Sequence, residues 1–279
     1  MKIHAHILFF AMAIVLMSSC QKQQTKEKQM QAVNSKTASD ILGNPKYLAI
    51  SYGGYRTNTR KVQPSIDELR EDLLIMAAMG IKVIRTYNVH FPHAKNILKA
   101  ISELKREDPD FEMYVMLGAW IEAKNAFTDN PDKIRDEDGE RYFPEIDTLF
   151  SNAIEIENAV NLAKQYPDIV KILAVGNEAM VHWATEYFVE PSVILKWVNH
   201  VQDLKKSGEL PKNLWVTSSD NFAAWGGGDK VYHKEDLVKL VKAVDYISMH
   251  TYAYHDTHYT PEYWINDTCL LYTSDAADD

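Results

Sequence analysis

Short apolar segments alternate with longer amphipathic segments along most of this chain, and that alternation limits the possible folds more than any other feature. Six segments have the character of buried strands, at residues 47–51, 82–87, 112–117, 169–175, 214–217 and 246–249. Helical segments lie between them. Because the strands are apolar on both faces, the pattern predicts a parallel sheet covered by helices.

The segment after Ser65 shows how clearly the helices are marked. Ser65 is followed three residues later by Glu68, which is the spacing of a capping box. Leu69, Leu73 and Met76 then follow at helical spacing, and Gly80 ends the pattern. Similar patterns predict helices over residues 94–105, 154–165, 193–206 and 234–241. A long polar stretch, about residues 122–144, is predicted to be an inserted loop.

The number of strand–helix units separates the candidate α/β folds. Six units are too many for a small flavodoxin-like domain and fewer than the eight of a closed barrel. No Gly-x-Gly-x-x-Gly pattern follows the first strand, so a dinucleotide-binding fold has no support.

The first 45 residues are predicted to lie outside the folded domain. Lys2 provides a basic start, and residues 7–17 form an apolar run that is too short to span a bilayer. Ser18 and Ser19 precede Cys20, which is typical of a bacterial lipoprotein signal. We therefore expect a signal peptide over residues 1–19, a lipidated Cys20, and a disordered polar tether over residues 20–45. The expected location is the bacterial cell envelope, with the lipid holding the protein on a membrane.

The overall charge argues against two kinds of partner. A net charge of −9 argues against binding to nucleic acid or to an anionic membrane surface, and it is compatible with a neutral glycan. We expect a monomer without a cofactor.

Polar and aromatic side chains collect where the predicted strands end, which is where α/β barrels place their chemistry. Aromatic rings can stack on sugar rings, while amides and hydroxyls can bind the sugar edges. These strand-end residues, in chain order, are Tyr52, Tyr55, Arg85, Tyr87, Asn88, Trp120, Asn177, Glu178, Asp220, Asn221, His250, Tyr252 and Tyr254.

Each of these residues also has a purely structural interpretation. Glu178 is compatible with the first turn of a helix capped by Asn177, and Arg85 with a structural ion pair. The aromatic residues are compatible with ordinary core positions. A metal site at His250, His255, Asp256 and His258 is disfavoured, because no helix or strand spacing would bring these side chains together.

Three motifs in this order resemble glycoside hydrolase family 17, the β-1,3-glucanase family, especially its bacterial lipoprotein members. They are Ile84-Arg85-Thr86-Tyr87, Val175-Gly176-Asn177-Glu178, and the segment from Val244 to Tyr252. The resemblance covers about residues 47–264. It implies a (β/α)8 TIM-barrel glycosidase fold, with about six of the eight units in this chain, and cleavage of β-glucan with retention of configuration.

The resemblance also implies residue roles. Glu178 would be the general acid/base, and Asn177 would hydrogen-bond a sugar 2-hydroxyl. Arg85 and Tyr252 would line the same subsite. With Tyr87, Trp120, Asp220, Asn221 and His250, these residues make up the predicted glycan-binding set.

The sequence departs from the family near its C-terminus. The family nucleophile is a glutamate on a seventh strand, and no such strand follows Trp264. Residues 46–266 are therefore expected to be a partial catalytic domain, and residues 267–279 a non-native tail. We therefore expect the chain in the form given by residues 1–279 to be inactive. Two alternatives stay open: a β-glucan transglycosylase of the same fold, and a noncatalytic glycan-binding lipoprotein.

Overall fold

The computed structural model describes residues 36–226 and 230–251. Within them, six parallel strands form one curled sheet in which neighbours along the chain are also neighbours in space. We number these strands β1 to β6: Leu48–Ser51, Ile81–Arg85, Tyr114–Ala119, Val170–Asn177, Trp215–Asn221 and Ser248–His250. The predicted α/β fold is confirmed, and the sheet matches six consecutive strands of a TIM barrel.

Five helices connect successive strands of this sheet. They are α1 (Ile66–Ala78), α2 (Pro92–Glu107), α3 (Asn152–Gln165), α4 (Pro191–Ser207) and α5 (Glu235–Ala243). The predicted capping box begins α1: the Glu68 main-chain N–H donates to Ser65 Oγ at 3.2 Å, and the Ser65 N–H donates to Glu68 Oε2 at 2.8 Å. Local sequence therefore fixes where this helix starts.

The prediction of a plain loop over residues 122–144 is wrong. Two short antiparallel ribbons are inserted between β3 and α3, and we call residues 120–151 the insertion. The first ribbon pairs Ala123–Lys124 with Ile134–Asp138, and the second pairs Glu140–Phe143 with Thr148–Ser151. Their sequence is polar because most of their side chains are exposed or half-buried, so the apolar alternation that marks a strand is missing.

The packed domain begins earlier than the predicted boundary at residue 46. A short helix, Ala38–Ile41, buries Ala38 against Met116, Ile172 and Ala174. Ile41 packs against Val83 and Tyr114. The polar composition of residues 20–45 predicts a tether that includes this helix. The prediction is wrong here because two apolar side chains in the segment, Ala38 and Ile41, pack against the sheet.

Other predictions fall outside the described residues. Cys20, Tyr252, the signal peptide and the tail at residues 267–279 all lie there. Among residues 36–226 and 230–251, no helix has the length and apolar character needed to cross a membrane.

Candidate active site

Strand β4 ends in an irregular turn that presents Glu178. The pairing with β5 shifts between Ala174 and Asn177, which marks a bulge. Gly176 has φ +87°, and Glu178 itself has φ +45°, a left-handed conformation that is uncommon for a residue with a side chain. The Glu178 N–H donates to the Ser219 carbonyl at 2.8 Å and holds this geometry. Backbone strain that the surrounding structure maintains is typical of functional sites.

The helix-cap interpretation of Asn177 and Glu178 is wrong. Asn177 is the last residue of β4, and in the continuous described segment the next helix, α4, begins only at Pro191. Glu178 therefore projects from the carboxyl end of the sheet and not from the first turn of a helix.

His250, at the end of β6, faces Glu178. His250 Nδ1 lies 2.8 Å from Glu178 Oε1, so a proton on Nδ1 donates to the carboxylate. The His250 side chain is only 4% exposed, whereas the Glu178 side chain is 20% exposed. His250 therefore contacts Glu178 from the interior of the protein, while part of the Glu178 side chain stays exposed to solvent.

Arg85 orients the amide of Asn177. One guanidinium nitrogen, Nη2, donates to Asn177 Oδ1, and the other, Nη1, donates to Ser51 Oγ at 3.3 Å. The guanidinium also lies over the Tyr87 ring, 4.8 Å from its centre. With its oxygen turned to Arg85, the Asn177 amide directs its amino group elsewhere, as a donor for a hydroxyl group.

Asp220 and Asn221, two of the predicted sugar ligands, are buried at the end of β5. Asp220 has no exposed surface, and its two oxygens accept the main-chain N–H groups of Met180 and Asn221, each at 2.8 Å. Asn221 is also buried, and its Oδ1 accepts the Ala223 N–H at 2.9 Å. Both residues therefore support the main chain around the site. Strand β5 is longer than its apolar segment and carries these polar residues into the sheet, and sugar binding by them stays a prediction.

Burial affects the ionisation of Asp220. Desolvation raises the pKa of its carboxyl to about 7, although the N–H donors of Met180 and Asn221 oppose the shift. The negative charge of Glu178 raises the pKa of Asp220 further. Glu178 and Asp220 are therefore electrostatically linked across the loop that follows β4.

Trp120 follows β3 and is half-buried. Its indole Nε1 donates to Glu122 Oε1 at 2.9 Å, and its main-chain N–H donates to Glu155 Oε1 at 3.0 Å. Both glutamates are buried, and sequence reasoning missed them. Glu155 lies on the same face of α3 as Ile156 and Ala159, and an acid on an apolar helix face is a signal that could have identified it. Glu122 has no comparable signal, because it is one polar residue in a polar stretch.

The comparison with solved structures gives a match at high sequence identity. The chain is 63% identical to an endo-laminarinase from Formosa Hel1_33_131, with a TM-score of 0.75. The match covers 81% of this chain and 55% of that one, so the chain spans about half the length of this relative. It confirms the resemblance to glycoside hydrolase family 17 and the TIM-barrel fold.

Two further structures are more distant. CJP38, a β-1,3-glucanase and allergen of Cryptomeria japonica pollen, is 12% identical with a TM-score of 0.45, over 77% of this chain and 59% of that one. A GH5_18 protein from Streptomyces cattleya, in complex with GlcNAc, is 14% identical with a TM-score of 0.49, over 80% and 53%. Protein-family models and curated proteins gave no match.

Proposed function

We propose that this relative of an endo-laminarinase is a retaining glycoside hydrolase that cleaves β-1,3-glucan, with Glu178 as the general acid/base. The observation that carries the proposal is the strand-end arrangement of Glu178, Asn177, Arg85 and His250. It combines a partly exposed carboxyl with an amide whose orientation is fixed. The 63% identity to an endo-laminarinase supports the choice of β-1,3-glucan.

In this proposal, Glu178 acts twice. It first protonates the glycosidic oxygen as the leaving sugar departs, and it then removes a proton from the water that attacks the glycosyl-enzyme. The Asn177 amino group donates to the 2-hydroxyl of the reacting sugar, an interaction that strengthens in the transition state. Arg85 keeps this amide in place, and His250 keeps the Glu178 carboxyl in place.

Retention also requires a second carboxylate, about 5–5.5 Å from the first, as the nucleophile. Asp220 responds to the charge of Glu178, but it has no exposed surface and cannot reach an anomeric carbon. We therefore assign Asp220 to support of the Glu178 loop and not to nucleophilic attack.

The test is hydrolysis of laminarin by the full-length protein, meaning the form that carries the nucleophilic glutamate implied by the family resemblance. Hydrolysis is measured as reducing ends and compared with a Glu178→Gln variant. NMR of the first-formed product is expected to show the β anomer, and chromatography separates hydrolysis from sugar transfer. Equal rates for wild type and Glu178→Gln would refute the assigned role. Cleavage of cellulose in place of laminarin would refute the proposed substrate.

We also propose that the protein is a monomer anchored in the cell envelope through a lipid on Cys20. The basis is the signal-like N-terminal sequence and its small residues before that cysteine. Metabolic labelling with a fatty acid, compared between wild type and Cys20→Ala, tests the anchor. Unchanged labelling in the variant would contradict it.

A further inference from the structure

Glu122 is a buried carboxylate in the insertion that the proposed reaction does not use. It is 1% exposed. Its Oε1 accepts the Trp120 indole N–H at 2.9 Å and pairs with Arg141 Nη2 at 2.6 Å. Its main chain is fixed as well: its N–H donates to Asn152 Oδ1 at 2.9 Å, and its carbonyl accepts the Gly139 N–H at 2.7 Å.

Arg141, the charged partner of Glu122, is held by aromatic rings. Its guanidinium carbon lies 4.2 Å from the centre of the Phe143 ring and 4.8 Å from that of Phe127. Phe143 in turn stacks on His90, and Phe127 stacks on Tyr187. We call these four rings the aromatic column, and Arg141 lies between Phe143 and Phe127. Together they join the loops that follow β2 and β4 through the insertion, so the Arg141 charge has little freedom to move.

The position of Trp120 gives this arrangement a functional meaning. Ala119, the residue before it, pairs with Val175 of β4, so Trp120 lies at the same level of the sheet as the turn that presents Glu178. The Trp120 main chain is tied to Glu155, and its indole is tied to Glu122. Two separate carboxylates therefore fix the main chain and the indole of this residue, which as a whole is half-buried.

We propose that Glu122 is a positioning residue for glucan binding: held by Arg141 and the aromatic column, it fixes the Trp120 indole as a platform for a glucose ring. This inference rests on the proposed function, since it assigns Trp120 to the glucan site. An indole that is already oriented loses less side-chain entropy when a sugar binds. Burial raises the pKa of Glu122 to about 7, while Arg141 opposes that shift and favours the charged form. The charged form of Glu122 therefore depends on the positive charge of Arg141 beside it.

The test compares Glu122→Leu with Glu122→Gln in the full-length protein. Leucine removes the acceptor of the indole N–H, whereas glutamine keeps an acceptor oxygen and loses only the charge. We expect Glu122→Leu to raise KM for laminari-oligosaccharides about tenfold with kcat changed less than about twofold, and glutamine to recover most of the loss. Glu137→Gln is the matched control, because Glu137 is an exposed acid of the same insertion, paired with Lys124, and is expected to leave KM unchanged.

A second background shows whether Glu122 acts through Trp120. In a Trp120→Phe variant there is no indole N–H, so Glu122→Leu is expected to raise KM no further. The inference would be overturned if Glu122→Leu raised KM equally in the wild-type and Trp120→Phe backgrounds. It would also be overturned if the rise in KM in the wild-type background were no larger than that of Glu137→Gln. If Glu122→Leu does not fold, as judged by near-UV circular dichroism, the same cycle is run with Glu122→Leu combined with Arg141→Met. This pair of changes also removes the indole acceptor but leaves no unpaired buried charge, so the same criterion applies.

Binding measurements separate this inference from the proposed function. The same variants, made in a Glu178→Gln background, are titrated with laminari-oligosaccharides and followed by tryptophan fluorescence. Glu122→Leu is expected to weaken binding about tenfold only where Trp120 is present. A wild-type protein without turnover would contradict the proposed function alone, whereas unchanged binding in Glu122→Leu would contradict the role of Glu122 alone.

Discussion

Two glutamate–histidine pairs lie at the carboxyl end of the sheet and have nearly the same geometry. His250 Nδ1 is 2.8 Å from Glu178, and His90 Nδ1 is 3.1 Å from Glu155. Their surroundings differ. Glu155 has no exposed surface, and its Oε1 accepts two main-chain N–H groups, those of Val89 at 2.7 Å and Trp120 at 3.0 Å. The Glu178 side chain is 20% exposed and lies on a left-handed backbone.

The difference shows that residue type and hydrogen-bond distance do not define a catalytic carboxyl. Glu155 ties together the loops that follow β2 and β3, and the fixed donors that surround it leave no access for a substrate. Glu178 accepts a hydrogen bond from His250 and keeps 20% of its side chain exposed, which gives the access that the proposed proton exchange with a bound sugar requires. Partial exposure, together with a maintained strained backbone, distinguishes the pair proposed to be catalytic from the enclosed one.

The largest expected effect is on the catalytic activity proposed for the Glu178–His250 pair. Glu178→Gln keeps the shape of the side chain but removes the transferable proton, so we expect kcat to fall by about 10³-fold with little change in the midpoint of thermal unfolding. Laminarin hydrolysis and a thermal scan measure the two quantities. Glu155→Gln is the matched control, and a comparable loss of kcat per folded molecule in that variant would remove the distinction between the pairs.

The next effect is on stability and belongs to the enclosed pair. Glu155→Ala leaves the N–H groups of Val89 and Trp120 without their acceptor in a buried place, so we expect the free energy of unfolding to fall by about 3 kcal/mol. The equivalent change at the other pair, Glu178→Ala, is expected to cost less than about 1 kcal/mol. Urea unfolding monitored by circular dichroism measures both. Equal losses would show that the two carboxylates support the fold to the same extent.

A smaller effect tests how the site around Glu178 is oriented. In Arg85→Lys, a single ammonium replaces the guanidinium that contacts Ser51 and Asn177 together, so the Asn177 amide loses its fixed orientation. We expect kcat/KM to fall about 30-fold, which corresponds to about 2 kcal/mol. Steady-state kinetics on laminarin provide the measurement. Arg70→Lys, at an exposed ion pair with Glu107, is the control and is expected to have no effect on kcat/KM.

The fold and the position of Glu178 at a strand end could be predicted from sequence for a physical reason. Strands buried on both faces are continuously apolar, so β4 was visible, and Asn177 and Glu178 stood out at its end. The enclosed pair was not predicted, because its contacts join residues that are far apart in sequence, such as Val89 and Glu155. The ribbons of the insertion were missed for a related reason: strands with exposed side chains carry no apolar pattern.

The burial of Asp220 was equally hidden from sequence, and it leads to the smallest effect. Its folded-state pKa of about 7 lies above its ordinary value of 3.8, so between these values the folded protein holds a proton that the unfolded chain releases. Stability contributed by this proton is complete at low pH and is lost as the pH rises towards 7. We expect a loss on the order of 1 to 2 kcal/mol between pH 4 and pH 7, since relaxation around a buried charge reduces the effect.

Asp220→Asn tests this dependence, because asparagine does not titrate. Glu122, whose pKa is also raised to about 7, contributes in the same pH range, so Asp220→Asn is expected to reduce the slope of unfolding free energy against pH without abolishing it. Adding Glu122→Gln should reduce the slope further. An identical slope in wild type and Asp220→Asn would show that Asp220 is already charged in the folded protein. It would then resemble Glu155, a buried carboxylate whose oxygen accepts main-chain N–H groups.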